Sequence, residues 1–257
     1  MRVLSIDIDY IMGPTIGLYS DIGWDESSGY RWEKFFSETE YTESDLHMDT
    51  GNLLFCYETF VKALCKSDCE VVFSYDHDNI LYSLSNHNNL DIINIDHHAD
   101  IIYPKVYDDE TSILNSLKEQ YKLVSKYNKV SEGTWVAWLR SKNKINSYTW
   151  IGNKSGFDLL YDCEKNYHSG LIPRFKMVTK EEYSIEDYRF DHIFVCLSPQ
   201  YIPKIHWHYF TMFLIAYEQI KNKSAKIEEW GSKKFETEVR HSFITDEILH
   251  KRSANWK

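Results

Sequence analysis

The chain has 257 residues, of which 43% are hydrophobic and 26% charged, so it can build one sizeable core and does not have the composition of a disordered protein. Its formal net charge is −10, which argues against nucleic acid or an anionic membrane as a partner, because both are bound through basic patches. An acidic surface instead suits a cationic partner.

Five cysteines at irregular spacings indicate neither a disulfide framework nor a zinc motif. The N-terminus MRVLSIDIDYIMGP places Asp7 and Asp9 where a signal peptide needs an apolar stretch. No apolar run is long enough to span a bilayer. We therefore expect a cytoplasmic protein without a membrane partner.

In chain order, short apolar strands alternate with helices. We predict strands at 3–8, 70–75, 91–95, 148–151 and 192–197, and helices at 52–66, 80–87, 111–127, 135–139 and 210–220. This alternation predicts an α/β domain spanning residues 1–257, with a mostly parallel sheet covered on both faces. Sites in such folds lie beyond the carboxyl ends of the strands, so the acidic and aromatic segment at 19–50 is expected near the site mouth.

The strongest functional signal is the motif IDHHAD at 95–100, which follows a predicted apolar strand. In extended chain, alternate side chains point the same way, so Asp96, His98 and Asp100 are predicted to converge, with His97 facing elsewhere. Two carboxylates and an imidazole form a ligand set suited to Mn, Zn or Fe rather than to Ca. An exposed polar turn after a strand is the alternative interpretation.

Two shorter motifs follow other strands. In SIDID, residues 5–9, Asp7 and Asp9 are predicted to share one strand face, although such a pair can also simply cap or solvate a strand end. In VVFSYDHDN, residues 71–79, His77 follows a buried strand, where a lone histidine is usually a turn residue. Because parallel strands end at one edge of the sheet, we expect the three motifs to meet.

Together the motifs supply four carboxylates and two imidazoles. Packing that many acids side by side without a cation would be strongly repulsive and would raise their pKa values. A pair of divalent ions about 3.5–4 Å apart, sharing bridging carboxylates, would remove the repulsion. The predicted metal ligands are Asp7, Asp9, His77, Asp96, His98 and Asp100.

The same motifs resemble those of the arginase/ureohydrolase superfamily. IDHHAD is similar to its DAHTD-type motif, SIDIDYIMGP to its SxDxDxxDP motif, and SYDHDN to its GGDHS segment. The resemblance implies a three-layer α/β/α fold and two Mn ions that activate water to attack a guanidinium carbon and release urea. Fe or Zn stay open, because these ligands accept all three metals. By the resemblance, Asp7 and Asp96 would bridge the two ions.

The resemblance also divides the remaining ligands between the ions. His77 and Asp100 would complete the ligands of one ion, while Asp9 and His98 would complete those of the other. Asp100 is the best candidate to orient the attacking hydroxide.

Two further roles are needed for hydrolysis of a guanidinium. The leaving amine needs a proton, which a histidine supplies most naturally, and His97 and His168 are the candidates. The planar guanidinium needs a carboxylate that accepts paired hydrogen bonds. Glu132, Glu43 and Asp45 are candidates, each of which is also compatible with a solvated surface acid.

Three features depart from ordinary arginases. The DxD motif opens the chain instead of coming last, which a permuted strand order can accommodate because the termini of compact domains often lie close together. Cys196, within HIFVCLSP at 192–199, stands where the late strand of arginases carries the guanidinium-binding Glu. The arginase loop that binds the carboxylate and amine of free arginine is not recognisable.

These departures, with the DIDY opening and the late SP, resemble the divergent peptide arginases that convert arginine to ornithine in ribosomally synthesised peptides. The resemblance implies an arginine-containing precursor peptide as partner, which the 19–50 segment could cradle. Three other functions stay open: a free arginase or agmatinase-like ureohydrolase, a deacetylase-like metal amidohydrolase, and a metal-containing binding module without turnover.

Overall fold

A computed structural model describes residues 1–12, 32, 35–42, 45–102, 109–128, 130–131, 133–153 and 160–228. Much of the 19–50 segment lies outside these residues, as do the candidate acids Glu43 and Glu132.

Strands and helices alternate along the described chain. The strands are β1 (Arg2–Asp7), β2 (Glu70–Ser74), β3 (Leu90–Ile95), β4 (Ile145–Ile151), β5 (Phe175–Val178), β6 (His192–Cys196) and β7 (Ile227–Glu228). The helices are α1 (Thr50–Lys66), α2 (Ile80–Leu84), α3 (Glu110–Tyr127), α4 (Trp135–Ser141), α5 (Leu160–Leu171) and α6 (His208–Lys221). Short 3₁₀ turns, Ile8–Ile11 and His77–Asn79, follow β1 and β2.

The two longest helices begin at aspartate caps. Asp49 accepts a hydrogen bond from the Asn52 N–H at 2.8 Å at the start of α1, and Asp109 accepts one from the Ser112 N–H at 2.8 Å at the start of α3. Each cap satisfies a backbone donor that the first helical turn leaves unpaired. Helix α3 ends at Asn128, whose left-handed φ of 50° stops the helix.

The strands form one seven-stranded sheet in the order β5-β4-β3-β1-β6-β2-β7, and each pairing is parallel. The chain leaves β1 through α1 toward β2 on one side, and leaves β3 through α3 and α4 toward β4 on the other. Strands β1 and β3 are direct neighbours. The crevice beyond their carboxyl ends is therefore the point where strand order reverses, the usual place for a ligand site in such a sheet.

Buried side chains form two clusters, one on each face of the sheet. Alternate strand residues divide between them: Leu4 and Ile6 join the cluster under α1 and α6, whereas Val3 joins the cluster under α2, α3 and α4. This period of two is what a strand buried on both faces requires. The predicted α/β class with a mostly parallel sheet is confirmed, and the two clusters are consistent with a three-layer α/β/α arrangement.

Each helix and strand predicted from the sequence is present, with bounds shifted by a few residues. The sequence analysis missed α5, β5 and the two-residue β7. In the part of the chain that the structure describes, no helix combines the length and apolar character needed to cross a membrane.

Replacement of Phe73 tests the first of the two clusters. Its ring is fully buried between those of Phe60, Phe210 and Tyr217, with centroids 5.7–6.1 Å away. We expect Phe73→Ala to lower the free energy of unfolding by about 3–5 kcal/mol in a denaturant titration, because it leaves a cavity. Leu54→Ala, at an exposed position of α1, serves as control and should change it by less than about 0.5 kcal/mol.

Candidate metal centre

The first part of the candidate site is the end of β1. Asp7 is the last strand residue and caps the following 3₁₀ turn, because its Oδ1 accepts the Asp9 N–H at 3.1 Å. The turn directs the Asp9 carboxylate toward β3, where it accepts the His97 N–H at 3.2 Å and lies 3.1 Å from His98 Nδ1. Asp7 and Asp9 are both buried.

The second part is the segment that follows β3. Asp96 Oδ1 accepts the His98 N–H at 2.7 Å, and Asp96 Oδ2 accepts the Asn94 side-chain amide at 3.1 Å. Asp100 has a left-handed φ of 51° and accepts the indole N–H of Trp135 at 2.7 Å. These contacts hold both carboxylates in one orientation, facing the end of β1.

The third part is His77, in the turn after β2. Its Nδ1 lies 3.1 Å from Asp7 Oδ2, 3.2 Å from Asp96 Oδ2 and 2.8 Å from Asp100 Oδ2. Its Nε2 lies 2.7 Å from the Ser5 hydroxyl. The ring stacks on Phe194 with centroids 5.7 Å apart, which fixes its plane.

The residues form two groups whose ligand atoms lie within 4.8 Å of one another and could hold a metal ion. Asp7, His77 and Asp96 make one group, and Asp9, Asp96 and His98 make the other. Asp96 belongs to both. Because Asp100 also contacts His77 Nδ1, the structure brings together all six residues that the sequence analysis selected.

Burial and mutual repulsion determine the electrostatics of this cluster. Burial above all, with repulsion from Asp100 and Asp7, raises the pKa of Asp96 to about 8. Burial and the neighbouring Asp9 raise the pKa of Asp7, and burial and Asp96 raise that of Asp9. The site therefore binds protons when it holds no other cation.

The same carboxylates raise the pKa values of the two imidazoles, whereas burial lowers them. Burial opposes a charge on His98, but Asp9 first and then Asp96 raise its pKa to about 9. Burial likewise opposes a charge on His77, which Asp100, Asp7 and Asp96 outweigh, so its pKa lies well above the usual range.

The donor set fits divalent metal ions. His77 Nδ1 is fully buried and makes no well-oriented hydrogen bond among the described residues, although three carboxylate oxygens surround it. An imidazole nitrogen and carboxylate oxygens that converge without hydrogen bonding each other are typical of ligands around a shared cation. Four carboxylates also match the charge of two divalent ions.

The predicted convergence has a different geometric cause from the one expected. The sequence analysis placed Asp7 and Asp9 on one strand face, but β1 ends at Asp7 and Asp9 lies in a 3₁₀ turn. It also assumed an extended chain after Asp96, whereas β3 ends at Ile95 and Asp100 has a positive φ. Turns, rather than strand alternation, orient these side chains. Asp7 and Asp96 each accept a hydrogen bond from the N–H two residues later, and these bonds fold the chain into turns.

Cys196 is the last residue of β6 and lies beside Asp7, but it supplies no carboxylate to the site. Its Sγ lies 3.3 Å from the Tyr75 carbonyl and 3.3 Å from the Ser198 hydroxyl, and burial, with Asp7 adding to it, raises the pKa of the thiol well above its usual range. The Ser198 hydroxyl donates in turn to Asp7 Oδ2. Cys196 and Ser198 are thus part of the support for a predicted metal ligand.

The two histidines proposed as proton donors occupy different places. His97 follows Asp96 at the cluster, but burial, with His98 contributing, lowers its pKa to about 3, which leaves it neutral near pH 7. His168 is buried against Phe175, the first residue of β5, and burial lowers its pKa to about 3. Since Phe175 lies at the opposite end of its strand from the site, the structure does not bring His168 to the cluster.

Of the candidate acids for the guanidinium, Asp45 is the described one. It is exposed, and its carboxylate accepts hydrogen bonds from the Thr42 N–H and hydroxyl, which lower its pKa. No described contact links Asp45 to the six clustered residues.

Sequence reasoning missed the side chains that orient the predicted ligands. Asn94 donates to Asp96, Trp135 to Asp100 and Ser198 to Asp7. Asn94 had a detectable signal, because it is a polar residue within the otherwise apolar strand DIINI and lies two positions before Asp96. Trp135 and Ser198 had none, since their contacts join segments distant in sequence.

Comparison with known proteins does not assign the chain to a family. No family model, no curated protein and no solved structure matches it.

The raised pKa values predict how pH and metal ions act together. Asp96 and His98 have higher pKa values in the folded chain than in the unfolded chain, so folding takes up protons. The free energy of unfolding therefore falls as pH rises toward the folded-state pKa values, about 8 for Asp96 and about 9 for His98. We expect the metal-free protein to melt at a lower temperature at about pH 8 than at about pH 6.5, and Mn²⁺ to raise the melting temperature more at about pH 8.

Scanning calorimetry at both pH values, with chelator and with Mn²⁺, measures this difference. Asp96→Asn should remove most of the Mn²⁺ effect and reduce the pH dependence, leaving the part that Asp9 maintains through His98. An equal Mn²⁺ effect at both pH values would show that the ion does not replace these protons.

The indole of Trp135 gives a second prediction. Trp135→Phe keeps a ring against His77 but removes the N–H that holds Asp100, so Mn²⁺ affinity should fall about 10–100-fold in a competition titration. Trp138→Phe, one turn further along α4 and absent from the cluster contacts, is the matched control and should bind as tightly as the native chain. Equal affinity of both variants would contradict a supporting role for Trp135.

Proposed function

We propose that the protein is a binuclear manganese hydrolase that removes urea from arginine side chains of a peptide and leaves ornithine. The observation that carries the proposal is the pair of ligand groups that share Asp96. Together with Asp100, which contacts His77, they combine four buried carboxylates and two imidazoles at one edge of a parallel sheet.

The two groups suggest how the ions would be held. Asp7, His77, Asp96 and Asp100 would hold one ion, and Asp9, Asp96 and His98 the other. Two bound ions would supply Lewis acidity that makes a nucleophile of water near neutral pH. The ligand orientations would be maintained by the hydrogen bonds from Asn94, Trp135 and Ser198.

The overall reaction balances without a redox partner. The water oxygen bonds to the guanidinium carbon, the bond from that carbon to the side-chain nitrogen breaks, and both water hydrogens end on the departing amine. The products are urea and the ammonium form of ornithine. His97, which is neutral near pH 7, suits a hydrogen-bonding role better than that of the acid.

The sheet order supports a permuted relation to arginases. Although the DxD motif opens the chain, β1 lies in the interior of the sheet beside β3, so Asp7 and Asp9 reach the IDHHAD segment directly. The spatial set of ligands does not depend on the order of the motifs in sequence.

The substrate assignment rests on charge and on the two missing arginase features. A chain of net charge −10 favours a cationic substrate, and Cys196 replaces the Glu of ordinary arginases. A peptide would be recognised mainly by its main chain, which would make the free amino acid loop unnecessary.

Incubation with Mn²⁺ and an arginine-containing peptide tests the proposal. We expect a mass loss corresponding to CH₂N₂ for each arginine converted, together with stoichiometric urea. Asp96→Asn and Asp9→Asn should both abolish turnover, and metal analysis should find fewer ions bound. The exposed Asp45→Asn is the matched control and should retain turnover and metal.

The other candidate functions give different results in the same assay. Urea from free arginine but not from peptide would identify a free ureohydrolase. Release of acetate from an acetylated amine would identify a deacetylase-like enzyme. Two bound ions without any turnover would leave a metal-containing binding module.

A further inference from the structure

A polar cavity lies at the same edge of the sheet as the candidate metal centre. Its volume is about 100 Å³, and we call it the polar pocket; it is lined by Tyr10, Asp49, Asn52, Gly152, Asn153, Lys180 and Glu181. Residues 10, 152 and 180 follow the carboxyl ends of β1, β4 and β5, and residues 49 and 52 lie at the start of α1. The pocket therefore opens where parallel-sheet sites collect their ligands.

Direct contacts join the polar pocket to the metal centre. Tyr10 follows Asp9 in the same 3₁₀ turn, and its carbonyl accepts the Asn52 side-chain amide at 3.0 Å. On the other side, the Asp96 N–H donates to the Ile151 carbonyl at 3.2 Å, one residue before Gly152. The sheet spacing puts Lys180, beyond β5, about 10 Å across from β3, which Asp96 follows.

Lys180 has hydrogen-bonding capacity that the described residues do not use. Its ammonium carries three donors and gives one hydrogen bond, to Asn52 Oδ1 at 2.5 Å. Asp49 and Glu181 lie 3.9 and 4.0 Å away, close enough to balance its charge but beyond hydrogen-bond distance. The pocket thus has carboxylate and carboxamide acceptors beside the Lys180 ammonium, whose remaining donors the described residues do not use.

A mixture of donors and acceptors suits a peptide main chain. A peptide group needs one donor for its carbonyl and one acceptor for its N–H, and the pocket supplies both.

We propose that the polar pocket binds the main chain of the substrate peptide beside the reacting arginine, with Lys180 donating to a peptide carbonyl. The proposal rests on the proposed function for the position of the arginine itself. The long arginine side chain would then run from the pocket to the metal centre along the edge of the sheet.

Gly51 leaves the room that the Lys180 ammonium occupies. A Cβ at residue 51 would lie 3.1 Å from Lys180 Nζ and 3.1 Å from Asp49 Oδ1. A methyl group here would shift the ammonium by a few tenths of an ångström and would also crowd the Asp49 oxygen that caps α1. The space at Gly51 therefore helps to keep Lys180 and Asp49 in their present positions.

The test uses the Mn²⁺-loaded full chain and the blocked peptide acetyl-Ala-Ala-Arg-Ala-Ala-amide, with turnover followed by ornithine formation and binding by calorimetry. Lys180→Met should raise KM about ten-fold, with kcat within about two-fold of the native chain and Mn²⁺ content unchanged. Lys176→Met, an exposed lysine on β5, is the matched control and should behave as the native chain.

The outcomes separate this proposal from the proposed function. Unchanged KM in Lys180→Met, or a fall in kcat alone, overturns the pocket assignment while turnover still supports the hydrolase. Binding without turnover, weakened ten-fold in Lys180→Met, supports the pocket and contradicts the hydrolase. Peptide that fails to bind the native chain, or a KM effect confined to free arginine, overturns the pocket as a main-chain site.

Discussion

Four carboxylates buried in one cluster cannot all be charged without compensation, and this constraint governs the site. Asp7, Asp9, Asp96 and Asp100 are each at most 5% exposed. The metal-free chain relieves the repulsion with protons, as the raised pKa values of Asp96, His77 and His98 indicate. Divalent ions would relieve it more completely, because they supply more charge and accept the oxygens as ligands.

The sheet topology explains why the constraint arises at this place. Strands β1 and β3 pair directly, yet their connections leave in opposite directions on opposite faces. The crevice between their ends lies where the two connections diverge. Polar residues at these two strand ends therefore meet one another, and His77 reaches them from the turn after β2.

The sequence predicts these residues because each follows an apolar strand and parallel strands end at a common edge. It misjudges how they are aimed, because strand ends cannot be distinguished from short turns when Asp caps the turn, as Asp7 does. Helix α5 and strand β5 were missed for a related reason: LYDCEKNYHSGL has few apolar positions, and the short β5 pairs in the sheet with β4 alone. Trp135 and Ser198 depend on tertiary contacts that no local pattern reveals.

The two ligand groups differ in their exposure to solvent, and this difference indicates from which side the site is accessible. Asp7, His77 and Asp96 are almost completely enclosed, whereas the His98 side chain is 20% exposed and its ring lies 4.7 Å from that of Tyr201. Under the proposed function, a substrate would approach from the side of His98. Tyr10, which follows Asp9, lines the polar pocket. The enclosed group would then hold its ion permanently, and the more open group would meet the reacting carbon.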